Sequence, residues 1–522
     1  MNYPVWELEL GGGLLIAVVS ILHVFVSHFA IGGGLFLVIT EHLARRRDDA
    51  HLIRYLVTHS RFFALLTLVF GAVTGVGIWF SIGLVSPAAT SSLIHIFVWG
   101  WAIEWVFFLV EIAAAIVYYT TWRRIPASRH LAVGWVYFVA AFLSLVVING
   151  ILSFMLTPGG WLETRSLAAA FWNPTYWPSL VARTMICVAL AGIYALVTGV
   201  RIKHDATRRW LLRYAGVWAL AGSLGAAGAL AWYHGAVPAG TAALLAGAQP
   251  VAARAMSVLT WSGLAVVILS LVPVLAPKHL DMGMAVVLLV AALVSFGSFE
   301  WAREAIRKPY VIHGYMYGNG LLVDESTELA ASGDGLLAHA IWVRKATPAP
   351  GMGGAAGAAT PRGDAAPLPV DAGEELFRIA CRTCHTVDGH HGLRSRMQGL
   401  DAPFIERLIG SLEHLRGSMP PFAGNAAERR ALARFLVAQT DPHQGMVDGA
   451  EVYAKRCGVC HQRGGAAGLE SALEGNGRDD LLEMLGYLTD LDERMPPWSG
   501  SDTDAQRLVD HILSWYPAAE EE

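Results

Sequence analysis

Charge is what this chain has least of. Only 15% of its 522 residues are Asp, Glu, Lys or Arg, against 54% hydrophobic, and the mean hydropathy is +0.46. A soluble enzyme of this size needs a more polar surface, so the chain belongs in a membrane. The shortage is uneven: Asp and Glu are sparse before residue 320 and frequent after 370, which divides a lipid-embedded part from a water-soluble one. A basic excess is missing too, and the net charge of −4 argues against a nucleic-acid partner. Cysteine numbers five. Four lie in "CRTCH" and "CGVCH"; the fifth, Cys187, is alone in an apolar segment and is read as core packing. No short apolar segment follows a basic leader, so the first hydrophobic stretch is read as an uncleaved helix.

Hydrophobic stretches near the roughly 20 residues needed to cross a bilayer run over about 14–43, 61–85, 92–119, 131–156, 178–200, 210–233, 255–276 and 281–301. Backbone groups in lipid must be satisfied within the segment, and these lengths are too great for barrel strands, so eight transmembrane helices are predicted. Basic residues concentrate in alternate connections: Arg45, Arg46, Arg47, Arg54 and Arg61, then Arg123, Arg124 and Arg129, then Arg201, Lys203, Arg208, Arg209 and Arg213. These are expected to face the cytoplasm, which puts both termini outside. "YYTTW" and "FWNPTYW" fit the interfacial aromatic belt. The bundle, taken as residues 1–320, is followed by a polar stretch and a Gly/Ala/Pro-rich linker within 321–372.

Beyond the linker the chain repeats, over 373–440 and 446–516. Cys381 and Cys457 are 76 residues apart, as are Met419 and Met495; two copies of one small domain are expected. C-x-x-C-H is the attachment signal for c-type haem. Its thiols, Cys381 with Cys384 and Cys457 with Cys460, form thioethers, and the adjacent His385 or His461 ligates iron. Each His is followed 34 residues later by a Met-Pro-Pro, with Met419 and Met495 as the opposite ligands; His/Met ligation suits low-spin electron transfer at raised potential. Chance occurrence or zinc binding is the alternative, and two copies at matched spacing disfavour it. Each copy resembles a small class I cytochrome c, a family whose haem is attached outside the cytoplasm. The fold class is therefore all-α: a polytopic helical bundle followed by two small cytochrome c domains.

Ionisable side chains within a span cost roughly 2.5–3.5 kcal/mol each on the insertion scale and are functional candidates. "LHVFVSHFAIGGG" holds His23 and His28; "WAIEWVFFLVE" holds Glu104 and Glu111, seven apart and near one face. His23 and Glu104 fall in the outer half of the bilayer, with Glu111 about 10 Å deeper. His23 alone is equally a hydrogen-bonded structural residue. His95 and His313 are read as ordinary hydrogen-bonding residues, and His42, His51, His59, His130, His204 and His279 as solvated residues at cytoplasmic helix ends.

"FAIGGGLFLVITE", "FGAVTGVGIWFSIG", "AIEWVFFLVE", "VVINGILSFMLTP" and "FEWAREAIRKPYVI" resemble, in the same order, subunit I of the cytochrome bd oxygen reductases. The resemblance implies a haem pocket near the outer face, with His23 and Glu104 at axial-ligand positions of one or two non-covalent high-spin haems, b or d. It also implies Glu304 and Arg307 beside them, where the Arg could pair with a propionate. Gly71, Thr74 and Gly75 match a small-residue helix contact for which close packing is explanation enough. The family's low-spin haem b loses its ligand here: Ala182 and Arg183 stand where a His is expected. The quinol-binding loop and a ninth helix are absent as well.

The reading that follows is a terminal oxidase of the bacterial inner membrane. A periplasmic donor would feed two covalent haems c, whose electrons reach the intramembrane haem and reduce oxygen to water, with Glu111 passing protons. Membrane lipid and a second membrane subunit related to bd subunit II are the implied partners. The competing reading is an electron-transfer subunit without catalysis, joining the quinone pool or a partner subunit to periplasmic cytochromes.

Overall fold

Residues 6–243, 249–339, 370–415, 418–441, 444–465 and 468–516 are described in the structure, a computed structural model. Eight helices among them are long and apolar enough to cross a membrane: α1 Gly12–Arg46, α2 Ala50–Val85, α3 Val98–Thr120, α4 Ala127–Leu156, α5 Tyr176–Gly199, α6 Asp205–Ala236, α7 Pro250–Leu275 and α8 Met282–Arg307. Asp49 caps α2 and Asp281 caps α8, each accepting from backbone N–H groups of the first turn, which satisfies donors that a helix start leaves open. The third span starts later than expected. The helix that begins at Pro87 ends at Ile96, and α3 resumes at Val98. Phe97 between them is fully buried, its ring edge-on to Phe154 at 4.9 Å, so an anchored side chain fixes the break.

α5 is the buried centre, with 72% of its apolar window inside the protein, against 11% for α2 and α3. α1 reaches it because Gly32 has no Cβ; one there would overlap the Cys187 carbonyl. Cys187 itself is buried in this core. Gly34, one turn-fraction on, faces the Tyr137 ring of α4, which an added Cβ would also strike.

After α8 comes a short antiparallel hairpin, β1 Tyr310–Ile312 with β2 Met316–Tyr317, then the helix Val323–Ser332. The Gly/Ala/Pro-rich linker lies outside the described residues. The first small domain sits on the rim of the bundle where α1 begins and α8 ends. His390 N–H donates to the Leu10 carbonyl at 3.1 Å, Arg382 pairs with Glu7 at 2.9 Å, and Leu336 and Leu337 N–H groups donate to the Glu428 carboxylate at 2.8 and 2.9 Å. The second domain packs on the first: Lys455 Nζ donates to the Gln398 carbonyl at 2.8 Å, and Arg456 Nη2 to that of Gly399 at 3.4 Å. The basic residues Arg45, Arg46, Arg123, Arg124, Arg201 and Arg208 collect at the opposite ends of the helices.

Candidate haem sites

In each small domain a π-helical turn runs into the first cysteine, Phe377–Cys381 in one and Tyr453–Cys457 in the other. The next residues fold over it identically: Cys384 and His385 N–H donate to the Cys381 carbonyl at 3.1 and 2.9 Å, and Cys460 and His461 to that of Cys457 at the same distances. Both thiols and the His backbone therefore sit on one tight turn, as attachment of one porphyrin requires. His385 Nδ1 donates to the His391 carbonyl at 3.1 Å, which fixes the tautomer and turns Nε2 outward as a ligand. Burial holds the pKa of His385 below its ordinary value, favouring the neutral, ligating form. Burial also pushes the Cys381 and Cys457 thiols up to about 12. Zinc takes thiolates, and no cluster of three or more His, Cys, Asp or Glu stands together among the described residues. Met419 and Met495 occupy corresponding places, partly buried, ahead of the closing helices Ala426–Ala438 and Asp502–Leu513.

In the bundle, His23 lies against α2. Its Nδ1 is 3.2 Å from both the Gly71 carbonyl and Thr74 Oγ1, and the ring rests on Gly75, where a Cβ would stand 3.0 Å from Cε1. Gly71, Thr74 and Gly75 are thus more than a packing contact: they hold an imidazole, and Gly71 closes a π-helical turn, Leu65–Gly71. His23 Nε2 makes no hydrogen bond among the described residues. A histidine whose Nδ1–H is tied to a carbonyl and whose Nε2 is free is oriented to bind a metal, so this side chain fits a haem ligand.

Glu104 and Glu111 face α4 instead. Ser144 donates to Glu104 at 2.9 Å and Tyr137 to Glu111 at 3.1 Å. Among the described residues no hydrogen bond joins His23 to Glu104. At the end nearest the small domains, Trp79 of α2 and Trp101 of α3 meet edge to face at 5.1 Å. Glu304 and Arg307 do come together, Arg307 Nη2 donating to the Glu304 carboxylate at 2.6 Å. Arg307 Nη1 is spent on the Tyr310 and Val311 carbonyls at 3.0 and 2.7 Å, so the expected pairing with a propionate has to compete with these.

Arg183 carries what sequence reasoning missed. It is 1% exposed, donates to Glu300 Oε1 at 2.8 Å, and approaches His28 Nε2 at 3.4 Å; Arg303 Nε takes the other Glu300 oxygen at 2.9 Å. Among the described residues, Arg183 Nε and Arg303 Nη1 are buried without an acceptor. α5 has no histidine, and this guanidinium network does not fit a low-spin haem. His28, tied to the Val24 carbonyl at 2.6 Å, belongs to this network. The signal was present in "FEWAREAIRKP", two acid–base pairs three apart near a helix end, but Arg183 is 117 residues away. His59 and His130, expected to be solvated, are 0% and 1% exposed.

Residues 14–260 match the family model for cytochrome bd terminal oxidase subunit I. The membrane part is a cytochrome bd subunit I domain. Residues 369–436 and 444–512 match the model for cytochrome c oxidase, cbb3-type, subunit III, so two cytochrome c domains follow it in one chain. Among solved structures, a bd oxidase from Geobacillus thermodenitrificans is 16% identical, with a TM-score of 0.51 over 59% of this chain and 88% of that one; such identity bears on the fold alone. No curated protein matches. The bd subunit I domain and the c domains together make a multi-pass haem protein built for electron transfer.

Proposed function

We propose that the chain is the catalytic subunit of a terminal oxidase that takes electrons from a soluble donor outside the bacterial inner membrane and reduces oxygen to water. His385 with Met419 and His461 with Met495 would hold the two covalent haems. His23, and Glu104 from the facing helix, would hold high-spin haem in the bundle, whose iron offers an open position for oxygen. The observation that carries this reading is the seat of the first c domain. Cys384 Sγ lies 3.7 Å from where a Cβ of Gly318 would stand, and Gly318 N–H donates to the Pro309 carbonyl at 2.7 Å, two residues beyond α8. The haem-binding turn is thereby pressed against the rim of the bd domain, and the second c domain, packed on the first, is the outer station for the donor.

Haem attachment outside the cytoplasm and basic ends on the far face support an orientation with both c domains periplasmic. The apolar faces of α2 and α3 offer a surface for lipid and for a second membrane subunit. With no low-spin site on α5, the c domains replace quinol as the source of electrons.

Carbon monoxide added to the reduced protein tests the proposal. A shift in the non-covalent haem bands shows an open iron; bands that stay unmoved favour the competing reading, a carrier without catalysis.

A further inference from the structure

The two c domains are copies of one fold with opposite charge. Residues 373–440 carry seven Asp and Glu against nine Lys and Arg, a net charge of +2, whereas residues 446–516 carry thirteen against six, a net charge of −7. In the 76-residue register of the repeat, Arg394, Arg407, Arg416 and Arg434 of the first copy correspond to Glu470, Glu483, Asp492 and Asp510 of the second. Folding does not call for these reversals. Arg407 stands in the last turn of the helix Ala402–Ile409, where a cation suits the helix dipole. Glu483 holds the same place in Arg478–Leu485, where an anion opposes it.

The few cations of the second copy are already taken up. Lys455 pairs with Glu451 at 2.8 Å, Arg463 with Glu470 at 3.0 Å, Arg494 with Asp492 at 2.9 Å, Arg507 with Asp504 at 3.8 Å, and Arg478 with Asp510. Arg456 lies over the Phe404 ring of the first domain at 5.0 Å. What remains is of one sign: Glu474, Asp479, Glu483, Asp490, Glu493 and Asp502 are exposed, and none of them has a cation partner among the described residues.

Four of those six acids fall within residues 479–493, the stretch that leads into Met495. The same stretch exposes Tyr487 by 37% and Leu491 by 51%, whereas no large apolar side chain is exposed among the described residues of the first copy. Asp492 lies within electrostatic reach of His461, so the stretch stands beside the haem-binding turn. Contact with the first domain runs instead through Lys455 and Arg456. A small apolar spot with a charged rim beside a redox centre is the anatomy of a weak electron-transfer encounter.

We propose that the 479–493 face of the second c domain docks a soluble basic electron carrier, a small haem protein whose exposed haem edge is ringed by lysines, and that the first domain receives electrons only from the second. A second copy of this face and an anionic lipid surface are both repelled by it, and the +2 of the first domain offers a basic carrier no attraction. Opposite charge steers the carrier in, and the small contact lets it leave. One electron passes from the carrier's ferrous iron to the ferric haem of the second domain, with no bond made or broken. The proposal rests on the reading that electrons enter through the c domains from outside; oxygen reduction is not needed for it.

The test uses the full chain in detergent with its c haems oxidised, and as probe a lysine-rich mitochondrial cytochrome c carrying zinc in place of iron. The photoexcited zinc porphyrin donates one electron, so the decay of its triplet reads the bimolecular rate. Raising the ionic strength from about 0.01 to 0.15 M shortens the screening length from about 30 to 8 Å and is expected to slow the reaction about tenfold. Asp479→Asn/Glu483→Gln/Asp490→Asn/Glu493→Gln should slow it about tenfold at the lower salt and flatten the salt dependence, with both c-haem spectra unchanged. Glu406→Gln/Glu413→Gln, which removes acids from the first domain, should leave the rate within about twofold. Succinylation of the probe's lysines should abolish its advantage at low salt. Equal rates for native and succinylated probe, a rate that ignores salt or rises with it, or a larger loss in the first-domain variant overturns the dock. The expected salt dependence in a protein that consumes no oxygen overturns the oxidase reading and leaves the dock standing.

Discussion

Glu300→Gln is the most informative single change in the bundle. Glu300 gives one oxygen to Arg183 at 2.8 Å and the other to Arg303 at 2.9 Å, with side-chain exposures of 10%, 1% and 14% for the three. The cluster therefore buries two cations around one anion, and the substitution leaves Arg183 without a counter-charge and Arg303 with only Glu304, which Arg307 already pairs. At an effective dielectric constant near 20, each charge pair at about 4 Å contributes on the order of 4 kcal/mol, and removing one partner of a buried pair costs about 3–5 kcal/mol. We expect a loss in that range, read as the shift in denaturant unfolding of the protein in detergent. Net charge predicts the order of the other variants. Arg183→Met leaves one cation and one anion and is expected to cost less than Glu300→Gln. The double variant Arg183→Met/Glu300→Gln leaves a single cation and should recover part of the loss. A cost below about 1 kcal/mol for Glu300→Gln, the range of an exposed pair, or strict additivity in the double variant, would falsify the reasoning.

Three further outcomes follow from the same geometry. His23→Ala should remove extractable haem and spare covalent haem, while Gly75→Ala, which crowds the imidazole, should shift the bands of the non-covalent haem; absorption spectra of both variants decide. Arg382→Ala, which breaks the partly exposed pair with Glu7, should change stability by under about 1 kcal/mol yet slow electron transfer from the first c domain into the bundle, measured by stopped-flow; an unchanged rate would show that this contact does not set the docking. Burial, then the neighbouring His390, lowers His391 to about 4. Its folded-state value lies below the unfolded one, so its contribution to stability is complete above pH 6.5 and is lost as pH falls toward 4; a smaller loss of melting temperature between pH 7 and 5 in His391→Gln than in wild type is the expected result, and equal losses count against it.

The sequence announced what depends on local pattern. Eight apolar runs became eight helices because lipid leaves the backbone no other way to bond, and the two C-x-x-C-H runs carry their own geometry within five residues. Pairings across the bundle were less visible. Glu104 and Glu111 stood out as charges in lipid, but Ser144 and Tyr137 are ordinary residues until α4 is laid antiparallel to α3. His130 looked solvated because it lies near the end of an apolar run, whereas Trp122 and Tyr118 cover it with ring contacts of 4.3 Å each. Gly71, Thr74 and Gly75 passed for packing because their partner, His23, arrives from a different helix. Arg183 was visible as the replacement for a ligand, while its role in burying Glu300 depended on a fold that brings α5 to α8.

Haem counting by pyridine haemochrome on the purified chain tests the central claim most directly. Two covalent haems and at least one acid-acetone-extractable haem per chain are expected. Two covalent and none extractable would mean that the bundle houses no haem, and the account of His23 and of oxygen reduction would fall with it.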